Sequence, residues 1–156
     1  AANAIATGLI LMGAITGEGT WLTAILYWFG GQILIILTTF VYTWITPYDD
    51  HLELEHKDNI AVGIGFAGAM IAIANLIRHG LSIDHAFWLD TIIEVLADVA
   101  IGLVFLPIAR WVTDKILLPG QKLTDEIVNQ EKPNIGAAII EAFGYIGGSV
   151  LITWCL

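Results

Sequence analysis

Three carboxylates, Asp90, Glu94 and Asp98, stand four residues apart in FWLDTIIEVLADVAIGLVFLPIARW, an otherwise apolar stretch. On a helix this spacing forms one acidic stripe. The stretch from Trp88 to Trp111 is long enough to cross a bilayer. With Trp88 at one interface, Asp90 falls ~3 Å inward, Glu94 ~9 Å and Asp98 ~15 Å, near the middle. A fourth carboxylate, Glu141, lies in a second apolar stretch that opens at Asn134, ~10 Å in from the opposite face. A charged Asp at the membrane centre costs ~2.5–3.5 kcal/mol on insertion scales. Carboxylates at these depths line water, bind cations or carry protons, so the chemistry they point to is a proton or small-cation path. Two plainer readings compete. Protonated carboxyls can hydrogen-bond between helices and merely hold a bundle together. Alternatively the span starts nearer Glu94, which leaves Asp90 at the interface.

The elements that must position these groups are membrane spans. Of 156 residues, 57% are hydrophobic and only 13% charged, against ~25% charged in a typical soluble domain. Mean hydropathy is +0.79. The net charge of −9, with only six Lys and Arg, argues against nucleic acid as a partner, since that binding needs clustered basic residues. The single Cys155 excludes an intramolecular disulfide and a cysteine-cluster metal site. The chain opens on AANAIATGLI with no Met and no basic leader, which reads as a processed or incomplete piece of a longer protein.

In order, an apolar segment rich in small residues covers 1–16, and Gly17-Glu18-Gly19-Thr20 reads as a tight loop. Trp21 to Ile45 is a first crossing, with Trp21 and Trp44 at its two interfaces. Thr46-Pro47 ends it, and the acidic YDDHLELEHKD follows. Asn59 to about Ile77 is the second crossing, and 78–85 reads as a polar loop containing Gly80. Phe87 to about Val112 is the third. Residues 113–133 read as one or two short amphipathic surface helices split at Pro119-Gly120. Asn134 to Leu156 is the last crossing.

Internal similarity organises this order. A shift of 67 residues lays Trp21 on Trp88, Ile25 on Ile92, Trp44 on Trp111 and Thr46 on Thr113. A shift of 75 lays Asn59 on Asn134. A shift of 131 lays Asn3, Gly13 and Gly17 on Asn134, Gly144 and Gly148. The expected organisation is therefore a tail helix of a preceding unit (1–20) and a four-span domain (21–156), itself two helix pairs, 21–82 and 83–156. The positions matching Asp90, Glu94, Asp98 and Glu141 are Thr23, Tyr27, Gly31 and Phe66, so only one unit carries the acids. Lys57, Lys115, Lys122 and Lys132 lie in the two polar segments, while the other side has Arg78; the segments are expected in the cytoplasm. Both pairs then cross in the same sense, as parallel repeats.

Other constellations have structural readings. Gly65 and Ala69, Gly144 and Gly148, and Gly13 and Gly17 are small residues at four-residue spacing, which lets helix backbones approach closely. They imply tight packing and an oligomer. Asn59 and Asn134 each precede a crossing, matching N-cap chemistry. Gln32 and Asn75 read as interhelical glue. His51 and His56 lie among Asp49, Asp50, Glu53 and Glu55, a spacing unlike the familiar helical His pairs, and read as a solvated acidic surface. No metal or cofactor is expected. HExxH, GxSxG and Walker patterns are missing, and the only serines are Ser82 and Ser149, so an enzyme is not expected.

Ile45-Thr46-Pro47, then Asn59-Ile60-Ala61 opening a Gly/Ala-rich helix, form one recognisable half. Leu123-Thr124-Asp125-Glu126-Ile127, Asn134, Ala137-Ala138, Gly144 and Thr153-Trp154 form the other. Over residues 21–156 the chain resembles the YjfL-like bacterial inner-membrane family, domain of unknown function 350. The resemblance implies a four-span inner-membrane protein built from two helix pairs. It also hints at membrane maintenance, since members tend to accompany membrane-stress proteins of the phage-shock type. It does not supply the acidic stripe.

The expectation is an all-α polytopic transmembrane bundle of parallel helix-pair repeats with amphipathic surface segments. Its expected role is an oligomeric inner-membrane assembly that conducts or senses protons or small cations through Asp90, Glu94, Asp98 and Glu141. The alternative is a non-catalytic membrane-stress scaffold that docks cytoplasmic partners through 46–58 and 113–133.

Overall fold

The structure, a computed structural model, describes residues 1–17 and 19–156. Glu18, in the loop expected at 17–20, lies outside the described residues. The described residues form six α-helices: α1 (Ala2–Thr16), α2 (Trp21–Ile45), α3 (Ile60–Ser82), α4 (Trp88–Val112), α5 (Leu123–Ile127) and α6 (Ile135–Cys155). Single π-helical turns occupy Leu52–His56 and Thr113–Leu117, the second continuing α4. Four helices, α2, α3, α4 with its π turn, and α6, are long and apolar enough to cross a membrane. The chain is an all-α, multi-pass membrane protein.

Helix α3 is the centre. Its Gly/Ala surface lets α1 and α6 lie against it on two sides, with α4 and α2 packed across it as well. Close approach needs the missing side chains. A Cβ at Gly68 would stand 2.6 Å from that of Ala142 on α6, and one at Gly13 would stand 2.6 Å from the backbone oxygen of Arg78. Gly17 and Gly65 are equally tight, against Leu81 and the Glu141 carboxylate; Ala69 is fully buried in the same core. Gly144 and Gly148 face Thr113 and the Phe105 ring, so this pair serves the α4–α6 seam. Paired residues fix direction: Glu141 lies by Gly65 and Ser149 by Asn75, so α3 and α6 run parallel, while Tyr42 by Phe66 and Asp98 by His79 make α2 and α4 antiparallel to α3. Helix α2 leaves most of its apolar surface uncovered by protein, as a lipid-facing helix does.

Both polar segments lie at one end of the bundle and pack together. Leu123 and Ile127 bury against Ala61, Val62, Ala137 and Ala138, with Tyr48 and Leu54 alongside. The two crossings that follow these segments start in the same way. Asn59 Oδ1 accepts from the Ala61 and Val62 N–H groups, and its Nδ2 donates to Glu53 at 2.9 Å. Asn134 Oδ1 accepts from the Ala137 N–H, and its Nδ2 donates to Glu126 at 2.7 Å. The backbone N–H of each Asn also donates to the carbonyl of that same Glu, at 2.9 and 2.8 Å. Each cap thus ties the start of a span to the surface segment before it.

One boundary differs from the sequence reading. Residues 78–82 belong to α3 and not to a loop. Their polar groups find partners inside the bundle: Arg78 Nε donates to Asn75, His79 meets Asp98, and Gly80 lets the Val95 backbone approach. A polar run whose groups are paired across helices has no reason to leave the helix.

Candidate functional site

The carboxylates divide into two clusters at opposite ends. Helix α4 carries Asp90, Glu94 and Asp98, yet only Asp98 is buried; Glu94 is half-buried and Asp90 exposed. The cause is the helix period. Each four-residue step turns ~40° further round the axis, so the stripe slants from the outer surface into the core. Asp98, 1% exposed, meets His79 Nδ1 of α3 at 2.8 Å. The extra turn of α3 beyond Ile77 is what brings His79 to this depth.

The second cluster gathers around Arg110, in the last turn of α4. Its Nη1 donates to Glu141 Oε1 of α6, and its Nη2 donates to Thr124 Oγ1 of α5 at 3.3 Å. The guanidinium also lies over the Tyr48 ring, 5.2 Å from its centroid. Glu141 is 0% exposed and accepts a second hydrogen bond from Tyr145 Oη at 2.8 Å. Tyr42 packs edge-on against Tyr145 and Phe66. Below it, Thr46 Oγ1 donates to Asp50 Oδ2 at 2.5 Å. Asp50 is buried too, and burial pushes its carboxyl up to about 6. Burial likewise pushes the Tyr48 phenol up to about 12, against the opposing pull of Arg110. Tyr42 Oη, Tyr48 Oη, Asp50 Oδ1 and Glu141 Oε2 are buried without a protein hydrogen-bond partner.

The structure keeps Asp90, Glu94 and Asp98 on one slanting stripe of α4 and places Glu141 apart from them, in the other cluster. Asp98 and Glu141 each face a basic partner from another helix, and about 18 Å of helix separates Asp98 from Arg110. Between them, Gly102 and Leu106 of α4 pack on Ile73, Leu76 and the apolar core. Arg110, in the last turn of α4, lies at the depth of Glu141. Among the described residues no three His, Cys, Asp or Glu side chains converge as a metal-holding group.

A family model described as Domain of Unknown Function (DUF350) matches residues 19–156. The chain belongs to this family. No curated protein and no solved structure matches it. The DUF350 match takes in α2 to α6 and every residue of the two clusters. Helix α1 lies outside the match, although it packs along α3 as closely as α6 does.

Within the DUF350 region, sequence reasoning gave no site role to His79, Arg110, Tyr42, Tyr48 or Tyr145, and read Asp50, which is buried, as part of a solvated acidic surface. One signal was available for Arg110. A cation in the last turn of one span and an acid in the second turn of an antiparallel span lie at similar depth. No such signal marks Tyr42 or Tyr145, whose rings read as ordinary span aromatics.

Proposed function

We propose that this chain is a bacterial inner-membrane protein, without enzymatic activity, that responds to protons through its buried intramembrane carboxylates within a homo-oligomeric assembly. The observation that carries this reading is the Asp98–His79 pair. An ionisable group inside a span is a functional candidate by default, and its costs are lowest when it is paired. A carboxylate joined to imidazole changes charge by one proton without leaving its site. Glu141 differs, because its partner is an arginine that keeps its charge. Apolar packing fills the ~18 Å between them, which favours sensing over conduction within one protomer; Asp90 and Glu94 lead from the surface toward Asp98. The matched Asn–Glu caps of α3 and α6 support reading the chain as two repeated helix pairs.

The test is proton and cation flux in liposomes that hold the purified protein and a trapped pH dye. Asp98→Asn and Glu141→Gln should abolish any flux or pH response that the native chain shows. An unchanged response in both variants sinks the reading.

A second reading, a membrane-stress scaffold, has its own support. The two polar segments form one joined surface that exposes Leu52, Ile116 and Leu117 beside acidic side chains. It predicts native vesicles without flux, and a specific cytoplasmic partner lost on Leu52→Ser or Ile116→Ser.

A further inference from the structure

The hydrogen bonds around Arg110 form two chains that stop short of each other. One starts at the polar segment: Thr46 Oγ1 donates to Asp50 Oδ2, 2.5 Å. The other ends in the span: Tyr145 Oη donates to Glu141 Oε1, 2.8 Å. Thr46 and Tyr145 line the same void of about 20 Å3, together with Tyr42, Pro107 and Arg110. A site for one water needs ~10–15 Å3 and two to four polar partners. The void offers those partners. Tyr42 Oη, 1% exposed, has no protein partner. Arg110 has five N–H donors; Glu141 and Thr124 take two, and the Tyr48 and Tyr145 oxygens lie within reach of the guanidinium as well. The Tyr145 oxygen, which donates to Glu141, has two lone pairs, so it can accept from the water beside Arg110. Pro107 has no N–H, so the helix bond from position 107 to the Leu103 carbonyl cannot form, and such gaps in spans are commonly filled by water.

We propose that this void holds one resident water, and that the water joins Asp50 to Glu141 as a proton path from the polar segments into the membrane. Every link has a usable direction. With Asp50 protonated the Thr46 bond reverses: Asp50 gives its proton to the Thr46 oxygen, and the Thr46 hydroxyl turns away from Asp50 and gives its own to the water. The water passes one to the Tyr145 oxygen, whose hydroxyl proton moves to Glu141. Asp50 ends as a carboxylate, Glu141 as an acid, and the three relays are unchanged; Arg110, which faces both acids, keeps one carboxylate counter-charge throughout. The groups facing Asp50 are Tyr42 from α2, Asp49 and Tyr48 from its own segment, Arg110 from α4, and Glu141 from α6. The high carboxyl of Asp50, about 6, lets it take and release a proton near neutral pH.

This inference deepens the proton-response reading and rests on it for its purpose, but its test does not depend on flux. The full chain in lipid nanodiscs is examined by NMR for exchange of the Tyr145 hydroxyl proton with bulk water. Thr46→Val and Asp50→Asn should each slow that exchange about tenfold, the worth of one lost hydrogen-bonded link. Thr46→Ser should restore it, and Asp98→Asn should leave it at the native rate. Native exchange in both Thr46→Val and Asp50→Asn overturns the path. Tyr42→Phe, which removes a water ligand while keeping the ring, is the gentler check and should slow exchange as well. Vesicles without flux, combined with slowed exchange in these variants, uphold the path and remove conduction. Flux together with native exchange in the variants removes the path alone.

Discussion

Arg110 and Glu141 meet across antiparallel α4 and α6, with the carboxylate fully buried and the guanidinium also bonded to Thr124 of the surface segment. The pair joins three parts of the chain at one point. It also sits beside Gly65, whose missing side chain makes room for Glu141 Oε2.

Breaking this pair from one side strands a buried charge. Arg110→Met or Glu141→Leu alone is expected to destabilise the protein by ~3–5 kcal/mol. The double variant, which removes both charges, is expected to recover most of that loss. Chemical unfolding in detergent micelles reads the two outcomes. Additive losses in the double variant would contradict the pairing.

Asp50 sets a pH dependence of known sign. Its carboxyl rises from 3.8 to about 6 in the folded chain because burial disfavours the charge. Between those values the folded state holds a proton that the unfolded state has released. Stability therefore falls as pH rises from about 4 to about 6, and is level above. Asp50→Asn is expected to flatten that window and to raise stability at pH 7. Thermal unfolding across a pH series measures it.

The asparagine caps carry two jobs each. Asn134→Ala removes a helix cap, worth ~1 kcal/mol, and leaves the Glu126 carboxylate without its amide donor. The expected loss is ~2 kcal/mol once that stranded acceptor is included. Asn134→Asp should cost more than cap chemistry predicts, since it sets two carboxylates face to face. Unfolding free energies of the two variants test this.

Glycine positions separate cleanly by what surrounds them. Gly13→Ala forces a methyl into the Arg78 backbone and is expected to cost ~1–3 kcal/mol. Gly147→Ala meets nothing within 4 Å and is expected to change stability by about 0.5 kcal/mol or less. Equal effects at the two sites would contradict the α1–α3 contact.

The spans were legible because length, apolar runs and interfacial Trp residues are local signals. The polar run at 78–82 was misread as a loop because its partners, Asn75 and Asp98, lie one turn back and on another helix. The carboxylates were visible as residues, but their chemistry was not. A ladder was inferred from depth alone, whereas which way each acid points depends on the slant of the stripe and on basic groups that arrive from α3 and α4. Arg110 and Glu141 are 31 residues apart, and no periodicity links them. Thr46 and Asp50 looked like a helix stop and an acidic surface. Only the folding of the 46–58 segment back under Tyr42 makes them members of a buried cluster.

The central position of α3 has a consequence for biosynthesis. This helix shares its small-residue face with α6, which is made after it and after α4. Until α6 arrives, Gly65 and Gly68 front lipid, and Asn75 lacks the Ser149 hydroxyl that meets its Nδ2. With mean hydropathy of 2.2, α3 can wait in the bilayer without them. The waiting chain is nonetheless an unfinished one, with a sticky seam along its middle. Delivery of α6 is therefore the moment that closes this seam and joins both polar segments into one end of the bundle.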